Sequence, residues 1–191
     1  LIVADSKLNG IDLSQLRIKF SVKRSDTMTP NVADIRVYNL ELETAIKIRS
    51  EFKRVILQAG YEGNSGVIFQ GTIMQVILGR ESATDTFIDI VAGDGDRAYN
   101  FAVVNKTLAA GATATDQVSA SIDPMIDKGV TAGNVGDMSD VQLPRGKVMY
   151  GNSKDYLRNV ADTNNKSWSI QDEKVTFIPK KSFLPGEVVV L

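Results

Sequence analysis

The sequence predicts an α+β protein that is mainly β: a small antiparallel β-barrel domain with one inserted helix, followed by a small α+β domain. Two observations in the first hundred residues support this prediction: alternating apolar and polar runs recur, and one stretch of helical period interrupts them. Beyond residue 105, helical and strand patterns are mixed instead. The length of 191 residues and the 43% hydrophobic content suit one sizeable domain or two small ones.

The strongest local signal is a β-hairpin between Arg54 and Val76. Two β-prone runs, Val55 to Ala59 and Val67 to Val76, flank a glycine-rich segment whose Asn-Ser pair suits a long hairpin tip. The second arm carries apolar groups on both faces, which indicates a central strand. Within that arm, Gly71 is expected to mark a bend or bulge.

The other elements of the first domain are expected to wrap around this hairpin. Leu16 to Arg24 alternates as a half-buried strand with a basic outer face, which is either solubilising or a contact for an anion or partner. Asp34 to Leu40 is a second strand, Glu41 to Phe52 a helix with Asn39 as its N-cap, and Asp85 to Ala92 a further strand. Closure into a barrel, or strong curling of the sheet, would remove exposed edges. The apolar positions expected to face inward from the first strand are Leu16, Ile18, Phe20 and Val22.

The second domain is predicted from capping signals and from a hairpin. Thr113 and Asp116 stand at N-cap and N3 spacing before a helix that begins at Ala114, and Asn152 precedes a helix that runs to about Thr163. A short strand is expected from Lys147 to Tyr150. The small hairpin that follows has an expected core of Trp168, Ile170, Val175 and Phe177.

Three segments follow from these patterns: a β-barrel domain at 1–104, an α+β domain at 105–182, and the start of a truncated further domain or return strand at 183–191. The last segment ends in a strand-like run, Glu187 to Leu191, with no turn after it. Because an unpaired strand normally finds a partner, we expect a C-terminal portion that completes a sheet or a further domain.

Composition restricts the chemistry. With 22 basic and 23 acidic residues the net charge is −1, so nothing predicts global attraction to nucleic acid or to an anionic membrane. The sequence has no histidine and no cysteine, which excludes Ser-His-Asp and Cys-His nucleophile sites, histidine-ligated metal sites and disulfides. No apolar run approaches the length of a membrane span, and no phosphate-binding glycine motif is present. We therefore expect no enzyme activity and no catalytic, cofactor-binding or metal site.

The most suggestive polar motif is Gly93-Asp94-Gly95-Asp96, directly after a strand. It is interpreted as a tight turn in which Asp94 or Asp96 caps a short helical segment from Arg97 to Phe101. Oxygen ligation of a hard cation and acid/base chemistry by the two carboxylates remain open alternatives.

Several of these segments together resemble the N-terminal part of bacteriophage tail and baseplate hub proteins. The resemblance is carried by Asp34 to Leu40, the helix after it, Leu57 to Gly63, Ile68 to Ile73, and the later Ala92 to Asp96 with Thr107 to Val118. It covers about residues 34–120, whereas residues 1–33 and 121–191 match only in general architecture.

The resemblance implies a non-enzymatic structural component of a virion tail, assembled in the cytoplasm of the bacterial host. It implies a homotrimer in the intact protein, and protein partners in the tail tube and the central spike. The alternative is a tail module that binds carbohydrate or a cell surface through a barrel face and through Tyr61, Tyr99 and Trp168. A third possibility is a carboxylate-dependent hydrolase that uses Asp94 or Asp96.

Overall fold

The computed structural model describes residues 1–5, 9–25, 28–61 and 63–181. The chain forms two compact units, and each has its own buried core. Counting described residues only, the first unit comprises residues 1–5, 9–25, 30–61 and 63–97, and the second comprises residues 28–29 and 98–181. Of the described residues, 45% lie in strands and 23% in helices, so the prediction of a mainly β, α+β fold is confirmed.

The first unit is a seven-stranded antiparallel sheet with one helix. Its strands are ordered β2-β1-β5-β6-β7-β4-β3 across the sheet. In the described part of the chain no pairing joins the edge strands β2 and β3, so barrel closure stays a prediction. The elements in chain order are β1 (Ile2–Ala4), β2 (Gly10–Asp12), β3 (Ile18–Lys23), β4 (Val32–Tyr38), α1 (Leu42–Glu51), β5 (Arg54–Tyr61), β6 (Asn64–Arg80) and β7 (Thr86–Gly93).

The sheet curls around one apolar core. Ile11 of β2 and Ile18 of β3, on opposite edges of the sheet, both pack against the same buried cluster. Ala45 and Ile48 of α1 lie in that cluster, so the helix fills the inside of the curl as its apolar spacing predicts.

The long strand β6 organises the sheet, as the hairpin signal indicates. Its first half pairs with β5 and its second half with β7, and the change of partner occurs at Thr72. At Gly71 an added Cβ would lie 2.6 Å from the carbonyl oxygen of Gly93, so only glycine permits this approach. The bulges fall on either side, where Ile68 and Met74 are the extra residues, so of the predicted bend or bulge at Gly71 the bulge is wrong.

The hairpin tip is tighter than predicted. Tyr61 of β5 pairs with Asn64 of β6, and Gly63 adopts a φ of 82°. The predicted loop over residues 60–66 is therefore mostly strand, because its glycines and its Asn-Ser pair extend the ladder. Glu62, within the predicted tip, lies outside the described residues.

Two predictions about side chains in the first unit are wrong. Asn39 does not cap α1, whose N-cap is Glu41. Asn39 has a φ of 52°, accepts a hydrogen bond from the backbone N–H of Thr86 (3.0 Å) and donates to Asp85 (3.2 Å), so it ties β4 to the start of β7. Phe20 is 47% exposed, because β3 is an edge strand and covers the core incompletely.

Among its described residues, the second unit contains three helices, α2, α3 and α4, where α2 begins at the division and is counted here, and its strands form two small sheets. The antiparallel ribbon β8-β10 forms one sheet, and β11-β12-β9 forms the other with β9 parallel to β12. The elements are α2 (Asp96–Phe101), β8 (Val103–Leu108), α3 (Ala114–Ile126), β9 (Thr131–Ala132), β10 (Lys147–Asn152), α4 (Ser153–Thr163), β11 (Lys166–Gln171) and β12 (Lys174–Pro179).

The division between the units falls between Arg97 and Ala98, earlier than the predicted boundary. Asn105, where the sequence places the second domain, lies inside β8. The physical reason is that Ala98 and Ala102 are fully buried in the second core.

The second core confirms the local predictions. Trp168, Ile170, Val175 and Phe177 are all buried. The capping box at α3 is present: the Asp116 carboxylate accepts from the backbone N–H of Thr113 (2.8 Å), and the Thr113 hydroxyl accepts from the N–H of Asp116. The Asn152 side chain caps α4 by accepting from the N–H of Lys154 (3.0 Å). Hydrogen bonds from the Thr113 backbone and side chain lower the pKa of Asp116.

Candidate assembly surfaces

The tip of the β5-β6 hairpin is an exposed arm of the first unit. Tyr61 is 89% exposed, and Val67 on the facing strand is also exposed. The strands stay paired up to the tip, so the arm presents an aromatic side chain on an ordered scaffold. An exposed aromatic residue on a fixed backbone is suited to a protein or carbohydrate contact.

The outer face of the first sheet carries a charged and aromatic stack. Arg36 of β4 makes two hydrogen bonds to the Asp89 carboxylate on the neighbouring strand (2.7 and 2.8 Å), and these hydrogen bonds raise the pKa of Arg36. The Arg36 guanidinium also lies 3.9 Å from the centroid of the Phe87 ring. Phe87 in turn covers Gly79, where an added Cβ would clash with the ring. The stack fixes the register of the central strands.

The predicted basic face of β3 is partly engaged within the first unit. Arg17 and Lys19 lie 4.6 and 5.3 Å from the centroid of the buried Tyr38 ring. A groove of about 400 Å³ runs along this face, and both signs of charge line it through Lys19, Asp34, Arg36 and Asp89. Because the charges of its lining are mixed, the groove has no clear preference for an anion.

The Asp94-Asp96 motif forms a structural turn. Asp94 is 1% exposed, and its backbone N–H donates to the carbonyl of Asn31 (2.9 Å), while the amide of Asn31 donates to its carboxylate (3.4 Å). Asp96 is the first residue of α2. Across the ranges that the structure describes, no group of three or more carboxylates is placed to hold a metal ion. The geometry therefore favours the interpretation as a turn.

Of the three aromatic residues proposed for carbohydrate binding, the structure leaves one on the surface. Trp168 is fully buried, and its ring stacks on Tyr99 with centroids 6.3 Å apart. Trp168 is therefore a core residue, as its place in the predicted hairpin core requires, and Tyr99 is partly buried beside it. Of these three residues, Tyr61 alone is broadly exposed.

The ribbon β8-β10 has a face that the sequence analysis did not identify. Its inner face packs Val104 and Met149 against Ala120 of α3. Its outer face consists of uncharged residues, and the largest of them are well exposed: Val103 51%, Val148 72% and Tyr150 74%. The sequence Val-Val-Asn-Lys-Thr-Leu of residues 103–108 has no regular alternation of apolar and polar residues, so periodicity does not predict a strand there.

The fold of this chain is similar to that of solved phage and prophage tail proteins. No family model matches the chain, and no curated protein matches it. Solved structures do share its fold, and those described below are phage or prophage tail proteins. The resemblance to phage tail proteins inferred from the sequence is thereby confirmed for the fold.

The first is the 43 kDa tail protein of prophage MuSo2 from Shewanella oneidensis (TM-score 0.61, 8% identity), and the match covers 92% of this chain and 54% of that protein. The second is a tail protein from Neisseria meningitidis MC58 (TM-score 0.56, 12% identity), and the match covers 85% of this chain and 45% of that protein. The third is the prophage tail protein gp18 from Listeria monocytogenes EGD-e (TM-score 0.52, 16% identity), and the match covers 99% of this chain and 55% of that protein. This chain therefore spans about half the length of the solved structures it matches.

Each helix among the described residues is too short or too polar to span a membrane.

Proposed function

We propose that this protein is a non-enzymatic structural component of a phage or prophage tail. One observation carries the proposal: the fold is shared with solved tail proteins, over 92% of the chain in the first comparison. An assembly role also fits the exposed arm at Tyr61 and the uncharged outer face of the β8-β10 ribbon, because tail proteins act through contacts with other subunits.

Within the tail, the proposed place is the baseplate hub, which joins the tail tube to the central spike. Support comes from the sequence segments that resemble hub proteins, among them Asp34 to Leu40 and Leu57 to Gly63, which the structure places in the curled first sheet. The intact protein is proposed to be a homotrimer, with tube and spike subunits as partners, in a virion tail assembled in the host cytoplasm. Three curled sheets in a ring would present repeated surfaces to a tube of higher symmetry.

A second candidate function is binding to a carbohydrate or cell surface, and the exposed Tyr61 is the observation that favours it. Glycan-array binding that disappears on Tyr61→Ala would support this function, and an array without signal would exclude it. A hydrolase that uses Asp94 has less support, because that carboxylate is buried against Asn31. Glycan cleavage abolished by Asp94→Asn or by Asp96→Asn would be needed to establish it.

The experiment that tests the hub proposal is absolute mass in solution. Light scattering would be measured for this chain and for a form extended at its C-terminus, each alone and mixed with tail-tube and spike subunits. The proposal expects a trimer of the longer form and a complex with at least one of the two subunits. A longer form that stays monomeric at high concentration and binds neither subunit would contradict it.

A further inference from the structure

The ribbon β8-β10 is a sheet of two strands. In the described part of the chain, β8 and β10 pair with each other and with no third strand. Each strand therefore has one edge that faces away from the ribbon. An edge with unpaired N–H and C=O groups is a template for another strand.

The hydrogen bonds show which backbone groups face outward. The N–H of Ser153 donates to the carbonyl of Ala102 (2.9 Å), which continues the ladder one residue beyond the pair Asn152 and Val103. Hydrogen-bonded and non-hydrogen-bonded pairs alternate in antiparallel ladders. Residues 103, 105 and 107 of β8 therefore stand in non-hydrogen-bonded pairs, and their N–H and C=O groups point away from β10.

The centre of the β10 edge is closed by a side chain. The N–H of Tyr150 donates to the hydroxyl oxygen of Tyr156 (2.8 Å), and the same hydroxyl donates to the Tyr150 carbonyl (3.2 Å). One phenol group thus satisfies both outward groups of Tyr150. This contact also confirms independently that the pair of Tyr150 with Asn105 belongs to the non-hydrogen-bonded set.

The β8 edge has no such closure among the described residues. No hydrogen bond there involves the outward backbone groups of Val103, Asn105 or Thr107, and all three residues are exposed. Edge strands are commonly protected by outward lysines, as β3 is by Lys19 and Lys23. The outward side chains of β8 carry no charge.

The single charge on β8 is already neutralised. Lys106 lies on the inner face of the ribbon, where its ammonium group contacts the Asp123 carboxylate of α3 at 2.9 Å. A strand added beside β8 would thus meet uncharged side chains on the outer face and a compensated charge on the inner face. A charged residue in that added strand would meet no opposite charge on this edge, whereas an uncharged β-branched residue would gain cross-strand contacts with Val103 or Thr107, so the edge favours a neutral strand.

We propose that the β8 edge accepts an extended segment of another protein chain, whose uncharged, mainly β-branched residues continue the outer face of the ribbon. The outward N–H and C=O groups of residues 103, 105 and 107 would supply the backbone hydrogen bonds. Val103 and Thr107 would supply the cross-strand side-chain contacts. The inference goes beyond the tail role and does not depend on it.

The test uses the whole chain and a defined probe, a capped peptide of alternating threonine and valine, with amide hydrogen exchange followed by NMR. At saturating peptide, exchange of the amides of Val103, Asn105 and Thr107 is expected to slow by about tenfold or more. The amides of Val104 and Lys106, which are bonded to β10, should change little. A control peptide in which lysine replaces valine should give no protection.

Three variants sharpen the test. Asn105→Pro removes an outward donor that the ladder does not use, so it should abolish peptide protection. Asn105→Lys keeps the backbone donor but adds an edge charge, and it should weaken peptide binding by about tenfold if a neutral strand is required. Tyr156→Phe should open the β10 edge, so that the amide of Tyr150 exchanges faster in the free protein and becomes protected by the peptide.

Two results would overturn the assignment. One is unchanged exchange at residues 103, 105 and 107 with the peptide at saturation, or equal protection by the lysine-containing control. The other is protection of the same amides without peptide that increases with protein concentration, because the occupant would then be a second copy of this chain.

Discussion

Substitution of Gly71 by alanine tests how the long strand β6 organises the first unit. An added Cβ would lie 2.6 Å from the carbonyl oxygen of Gly93 and 2.9 Å from the ring of Phe69. Ordinary contact begins at 3.4 Å, so the backbones of β6 and β7 must separate by about 0.8 Å where β6 changes partners. Overpacking of this kind costs about 1 to 3 kcal/mol.

Part of that cost is offset in the unfolded chain, because replacing glycine by alanine stabilises a compatible site by about 0.4 to 1 kcal/mol. The net loss for Gly71→Ala is therefore about 0 to 2.6 kcal/mol, or a Tm lower by up to roughly 10 °C, and its difference from a glycine-to-alanine control at a compatible site is about 1 to 3 kcal/mol. The matched control is Gly66→Ala in the same strand, where an added Cβ meets nothing within 4 Å. The control should be neutral or slightly stabilising.

Urea unfolding followed by far-UV circular dichroism gives the two free energies of unfolding. Hydrogen exchange of peptides from β5, β6 and β7 locates the loss within the first unit. The reasoning is refuted if Gly71→Ala and Gly66→Ala differ by less than about 0.5 kcal/mol, the range expected for surface substitutions away from special features.

Three further predictions concern the second unit. Thr113→Ala should destabilise the protein by about 1 kcal/mol, because α3 loses its N-cap; a thermal melt with no shift would contradict this. The lowered pKa of Asp116 implies a contribution to stability that is present above about pH 4 and is lost as the pH falls through the lower folded-state pKa. Asp116→Asn should therefore weaken the dependence of the free energy of unfolding on pH in the acid range. An acid dependence identical to that of the unsubstituted protein would contradict this prediction. Leu157→Ala, at a fully buried position, should lower the free energy of unfolding, measured by urea titration, by roughly 2 to 5 kcal/mol. Val148→Thr, on the exposed ribbon face, should change it by no more than about 0.5 kcal/mol. Equal losses for the two variants would contradict the burial pattern.

Elements with strong local signals could be predicted from the sequence. The capping pair Thr113 and Asp116 and the cap at Asn152 are short-range hydrogen-bond patterns, which depend little on tertiary structure. Apolar residues on both faces of β6 likewise predict a central strand, and β6 does pair with β5 and with β7, although Val67, Met74 and Ile77 stay exposed.

Elements that exist only through tertiary pairing could not be predicted. The strands β1, β2 and β9 have two or three residues each, too few for any period to show. Asn39 precedes a helix and so resembles a cap, but the left-handed backbone that directs its side chain to β7 has no local signature. The closure of the β10 edge also depends on a tertiary contact, between the Tyr156 hydroxyl and the backbone of Tyr150.

The proposed tail role can be examined in assembled particles. Tails would be purified from the phage or induced prophage that carries this chain, labelled with gold-conjugated antibody to the chain, and viewed by electron microscopy. A structural hub component predicts label at one end of the tail, in a small fixed copy number. Purified, intact tails that carry no label and contain none of this chain by mass spectrometry would contradict the structural role itself.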